Sequence, residues 1–109
     1  MGLKSFIYYL DIALENRIRE EIQIERGKVK KFVIQYEAFI SDEWQPIARY
    51  DSAHGFAHLD LYTTGAQKQK SKLYLNDFNA ALTYAEKDLK KNWIKYRLNY
   101  EKHTKKSKE

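Results

Sequence analysis

Cysteine is absent from the 109 residues. A disulfide scaffold, cysteine-ligated metal and thiol chemistry are excluded together. Proline occurs once, at Pro46, and glycine only at Gly2, Gly27, Gly55 and Gly65. No Pro/Gly/Ser linker divides the chain, so one domain is expected over 1–102, followed by a basic disordered tail at 103–109. No apolar run is long enough to span a bilayer. The N-terminus lacks the apolar stretch and small-residue cleavage site of a secretory signal. A cytoplasmic protein is expected. No repeat recurs at a fixed period. A phosphate-cradling glycine loop, a dinucleotide fingerprint and a nucleophile elbow are all missing.

What is present suits a small folded domain. The chain is 43% hydrophobic and 32% charged, enough apolar surface to form a core. Lys and Arg number 20 against 15 Asp and Glu, a net charge of +5. A mildly basic balance favours polyanionic partners, with ordinary solubility charge as the competing reading.

Over 17–25, Ile18, Ile22 and Ile24 share one parity; Arg17, Arg19, Glu21, Gln23 and Glu25 share the other. This period of two predicts a half-buried strand. Arg26-Gly27-Lys28 reads as a turn. Phe32, Ile34, Tyr36, Ala38 and Ile40 predict a strand over 29–40. After a polar turn at 41–43, a third strand covers 44–50, and Pro46 marks an edge or a bulge in it. A turn at 52–55 leads to a fourth strand at 56–62. Connections this short allow only an antiparallel meander. The segment 4–14 fits a helical stripe (Ile7, Leu10, Leu14) or a strand face (Phe6, Tyr8, Leu10, Ile12). Its Phe-Ile-Tyr-Tyr content favours the strand. The stretch 63–72, with Gly65 and three lysines, reads as a polar loop.

Phe78, Ala81, Leu82, Ala85, Leu89, Trp93, Tyr96 and Tyr100 recur at spacings of three and four. They predict one helix over about 77–102, capped by Asn76 or Asp77. Glu86–Lys90 and Asp88–Lys91 stand at supporting helical spacing. The expected fold is α+β: an antiparallel meander sheet of four to five strands, covered on one face by one long C-terminal helix.

The segment 49–62 is the densest in chemistry-bearing residues. Ala57, Leu59 and Leu61 face one side of its strand, toward the helix-covered core. His58, Asp60 and Tyr62 face the other, as an open polar row. Asp51 and His54 flank the turn before it, and Arg49 precedes them. Histidine transfers protons near neutral pH, and arginine suits a phosphate. The competing reading is the polar row that any antiparallel sheet shows to solvent. His54 and His58 would stand about 13 Å apart along an extended strand at about 3.3 Å per residue. A metal set of His54, His58 and Asp60 therefore requires the turn to fold His54 back; no metal and no cofactor is expected.

Four stretches carry a resemblance. They are 25–37, Trp44-Gln45-Pro46 with Arg49-Tyr50-Asp51, Ala53-His54-Gly55-Phe56-Ala57-His58-Leu59-Asp60, and 79–86 with Asn92-Trp93. Together they resemble a widespread family of small prokaryotic proteins described as a domain of unknown function, over about 18–100. Its distinctive string is Tyr-Asp-x-Ala-His-Gly-x-x-His-x-Asp. More remotely, Arg49, Tyr50, Asp51, Ala53, His54 and His58 are similar to TumE-type toxins of toxin–antitoxin pairs. This chain departs from them in its long C-terminal helix and its fewer histidines.

Two functions are carried forward. The first is a metal-independent ribonuclease, toxin-like, with His54 and His58 as acid and base. Arg49 would hold the phosphate, Asp51 or Asp60 would orient a histidine, and Lys68, Lys70, Lys72 and Tyr62 would contact the strand. The second is a non-enzymatic module binding nucleic acid or a partner protein, including a second copy of itself.

Overall fold

The computed structural model describes residues 2–53, 55–62, 68–73 and 77–107; at 68–70, 72–73 and 103–107 it describes the backbone. Among the described residues, six strands precede one helix: β1 (Gly2–Tyr9), β2 (Asn16–Glu25), β3 (Lys28–Ile40), β4 (Glu43–Asp51), β5 (Ala57–Tyr62), β6 (Lys68–Leu73) and α1 (Phe78–Ser107). The sheet order is β1-β2-β3-β4-β5-β6, antiparallel throughout. This is the expected α+β meander under one long C-terminal helix.

The hairpin geometry follows from local residues. Arg26 and Gly27 (φ 53° and 76°) join β2 to β3, where Glu25 pairs with Lys28. Ser41 and Asp42 (φ 54° and 63°) join β3 to β4, where Ile40 pairs with Glu43. Two-residue loops with positive φ at both positions match the twist of the flanking strands. Pro46 sits where the β3–β4 register shifts between Tyr36 and Glu37, a bulge that spares the ladder a missing donor.

Two elements differ from expectation, and one ambiguity is resolved. The segment 4–14 is a strand, as favoured, as far as Tyr9, and then a turn. In that turn the Asp11 carboxylate accepts the Glu15 and Asn16 amides at 3.1 and 3.0 Å. The polar loop expected over 63–72 contains β6, which adds a sixth strand to the sheet. Its Lys-Gln-Lys-Ser-Lys sequence has no apolar alternation to announce it; backbone pairing with β5 makes the strand. The helix runs past Lys102 to Ser107. No helix among the described residues is long and apolar enough to cross a membrane.

The core lies between α1 and one face of the sheet. Ile18, Ile34, Tyr36, Ala48 and Ala57 supply the sheet side, and Ala81, Ala85 and Leu89 the helix side. Ala81 and Ala85 are fully buried, so the helix backbone approaches the strands closely. Phe32 packs edge-on to Phe78 and Tyr36 edge-on to Trp93, each at 6.0 Å between centroids. The helix starts on Asp77, whose Oδ1 accepts the Ala80 amide at 2.7 Å.

Candidate functional site

Strand periodicity places the chemistry on the sheet face away from α1. Arg17 pairs with Glu37, Arg19 with Gln35, Gln35 with Arg49, Asp51 with His58, and Arg49 with Asp60. Directly paired residues share a face, so these side chains form rows across four strands.

The rows are joined by hydrogen bonds. Arg17 Nε donates to Glu37 Oε1 at 2.7 Å, and Gln35 donates to Glu37 Oε2 at 2.6 Å. Arg49 reaches the Gln35 side-chain oxygen at 3.5 Å and, through Nε, donates to Asp51 Oδ2 at 3.0 Å. The other Asp51 oxygen lies 2.9 Å from His58 Nε2 and accepts the Ala53 amide at 3.1 Å. Burial alone would raise the Asp51 carboxyl. The Ala53 amide, Arg49 and His58 outweigh it and hold the group below the ordinary carboxylate range.

Ser52 fixes this end of β4. Its hydroxyl oxygen accepts the Phe32 amide at 2.9 Å, and its own amide donates to the Phe32 carbonyl at 3.2 Å. The chain then turns through Gly55 (φ 83°) into β5. The Phe56 ring lies 5.7 Å from the His58 ring.

Of the residues singled out in the sequence, Arg49, Asp51, His58 and Asp60 come together. His54 lies outside the described residues. The apolar side of β5 packs on the core as expected, with Ala57 buried and Leu59 and Leu61 against it. The His58–Asp60 row is not open, which corrects the expectation. His58 and Asp60 are each 2% exposed and Asp51 5%. The physical reason is packing among neighbours on this face: Asp51 lies against His58 Nε2, the Phe56 ring lies beside the His58 ring, Arg49 stands opposite Asp60, and β6 makes β5 an interior strand. Lys72, Lys70 and Lys68 stand in register opposite His58, Asp60 and half-buried Tyr62.

One donor atom from each of Asp51, His58 and Asp60 lies within 4.8 Å of the others. Two carboxylates and an imidazole are the donor types of a divalent-cation site. Among the described residues, Asp51 completes the trio; the expected ligand His54 lies outside them. Arg49 already puts a cation on Asp51, and both Asp51 oxygens are engaged. A cleft of about 320 Å³ adjoins the cluster, with Leu3, Glu21, Gln23 and Lys31 along its wall and Ser52 and Ala53 at its end.

Sequence reasoning missed the far end of this face. The Arg17 guanidinium carbon lies 3.8 Å from the centroid of the Trp44 ring. Trp44 stands 5.3 Å from Phe39 and 6.3 Å from Tyr9. Phe39 and Tyr9 are 37% and 45% exposed. The parity of Arg17 and Arg19 was the available signal; the bulge at Pro46 hides Trp44's membership of the row.

Two further polar clusters lie on the helix side. Glu20 is 1% exposed, accepts the Tyr8 hydroxyl at 2.9 Å on Oε2, and has the Glu86 carboxyl beside it. Burial, then the neighbouring Glu86 carboxylate, push Glu20 up to about 7, against the opposing pull of Tyr8 and Lys90. Asp88 accepts the Tyr50 and Tyr96 hydroxyls, each at 2.6 Å, and the Asn92 amide at 2.7 Å. It serves the helix–sheet interface rather than a Lys91 pair. Burial and the Asp88 charge hold both hydroxyls above the tyrosine range.

No curated protein and no solved structure matches the chain. The likeness to TumE-type toxins therefore stands on its six residues alone. A family model described as a domain of unknown function matches residues 1–106, and the protein belongs to that family, DUF7718.

Proposed function

We propose that the protein binds single-stranded nucleic acid, RNA in the first instance, across the sheet face opposite α1. One observation carries the reading: the exposed rings of Tyr9 and Phe39 share that face with Arg19 and Arg49, around the half-buried Arg17–Trp44 stack. Base stacking on aromatic rings and phosphate contacts from arginine are the two ingredients of sequence-tolerant single-strand binding. Tyr9 and Phe39 supply the rings, and Trp44 stands against both from below. Arg19 and Arg49 are 46% and 36% exposed and can turn donors outward. Lys68, Lys70 and Lys72 continue the basic register at the edge strand, beside Tyr62.

The test is fluorescence anisotropy with a labelled single-stranded RNA over a salt series. Affinity should fall linearly on a log–log plot as salt rises. Phe39→Ala should cost about 1–3 kcal/mol, one stacked base. Absence of salt-dependent binding, or unchanged affinity in Phe39→Ala and Arg19→Ala together, removes the reading.

A second reading, metal-independent RNA cleavage, is favoured by the sharing of Asp51 between Arg49 and His58. Asp51 would orient His58 for proton transfer, Arg49 would hold the phosphate, and His54 and Asp60 would complete the acid–base set. The burial of His58 places this reading behind binding. Cleavage of RNA in the presence of EDTA, lost in His58→Ala and His54→Ala and absent on DNA, supports it; retained cleavage in both variants ends it.

A further inference from the structure

We propose that the protein is a homodimer joined through β1, whose outer edge pairs with the same strand of a second copy to make one continuous antiparallel sheet. The observation is independent of the nucleic-acid reading. β1 is a sheet edge by strand order, and its eight residues are exposed along nearly their whole length. Leu3 (77%), Ile7 (51%) and Tyr9 lie on the face away from α1, and Phe6 (41%) on the face toward it. An unpaired edge with apolar side chains on both faces is a template for another strand. The opposite edge is built differently. β6 carries Lys68, Lys70 and Lys72 at alternate positions, the charge pattern that keeps an edge from pairing.

The sequence of β1 fits a second copy of itself. A two-fold axis normal to the sheet preserves each face, so a residue must lie opposite one of the same parity. With Phe6 on the axis, Phe6 meets its own copy, Lys4 meets Tyr8, Leu3 meets Tyr9 and Ser5 meets Ile7. Phe6–Phe6 is aromatic on aromatic, Leu3–Tyr9 apolar on aromatic and Lys4–Tyr8 lysine beside a tyrosine ring, each favourable across strands; Ser5–Ile7 is neutral. No cation faces a cation, although each chain carries +5. Leu3 also walls the cleft beside Asp51. Tyr9 of the second copy stands next to it in this register, so the dimer extends that wall.

The lack of cysteine makes the test direct. Full-length Phe6→Cys, treated with a short bis-maleimide, should couple to a covalent dimer. Ile12→Cys, in the exposed turn outside the paired register, should stay uncoupled. Sedimentation should give wild type at twice the monomer mass and Ile7→Lys at the monomer mass, with the same far-ultraviolet circular dichroism. A wild-type chain that sediments as a monomer at every concentration overturns the proposal and leaves the edge to a strand from another protein. A dimer that survives Ile7→Lys while Phe6→Cys fails to couple overturns it in favour of another interface.

Discussion

Asp51 and His58 stand directly opposite one another on β4 and β5, and a carboxylate oxygen of the first lies 2.9 Å from Nε2 of the second. The pair is buried, and Arg49 holds the other carboxylate oxygen. Removing the charge while keeping the shape isolates its contribution. Asp51→Asn should destabilise the protein by about 1.5–3 kcal/mol at pH 7, the range for hydrogen bonds to a charged group. The Asp51 carboxyl is held below its ordinary value, so its contribution is present above about pH 4 and is lost as pH falls through the lower folded value. Urea denaturation at pH 7 and in acid should show the variant and wild type converging at the acid end.

Glu20 has the opposite sign. Its folded pKa is raised from 4.5 to about 7, so the folded state holds a proton that the unfolded chain has released. That contribution is full below about pH 4.5 and is lost as pH rises to about 7, so stability should fall across this window. Glu20→Gln should flatten the decline and gain about 1–3 kcal/mol at pH 8. Equal slopes of stability against pH in variant and wild type would refute the assignment.

The Ser41-Asp42 loop holds two non-glycine residues at positive φ. Replacing the pair with Asn-Gly relieves that conformation and should stabilise the protein by about 0.4–1 kcal/mol. Thermal unfolding reads the gain directly.

Ala85 is fully buried where α1 meets the sheet. Ala85→Leu should cost about 1–3 kcal/mol through overpacking. Ile94→Gln, at a position 57% exposed on the same helix, should change stability by less than about 0.5 kcal/mol in the isolated chain. Comparable losses from both would place the helix–sheet contact elsewhere on α1.

The meander and helix were legible because their signals are local. Isoleucine alternation over 17–25, the Arg26-Gly27 turn and the three-and-four spacing from Phe78 each act within one element. β6 was not legible, because Lys68–Leu73 pairs with β5 through its backbone and its sequence carries no apolar alternation. That one omission propagated. Without β6 the strand β5 reads as the sheet edge, and with it β5 is interior. The gathering of Arg49, Asp51, His58 and Asp60 was anticipated because they share one hairpin. The Arg17–Trp44 stack was not, since it joins β2 to β4 across β3 and depends on a register shift that composition does not announce. Glu20 hid for another reason: a glutamate flanked by Arg19 and Glu21 has the look of a solvated face.

The strict sequential order of the strands bears on how the chain is made. All six strands are synthesised before the helix, and each needs only its predecessor to pair. Ile18, Phe32, Ile34 and Tyr36 therefore face solvent on the nascent sheet until residues around Leu89 and Trp93 have left the ribosome. Synthesis proceeds at about 5–20 residues per second, so that interval lasts seconds. During it the growing chain presents an apolar sheet face that it alone will later cover, and the last third of the sequence acts as the lid on everything translated before it.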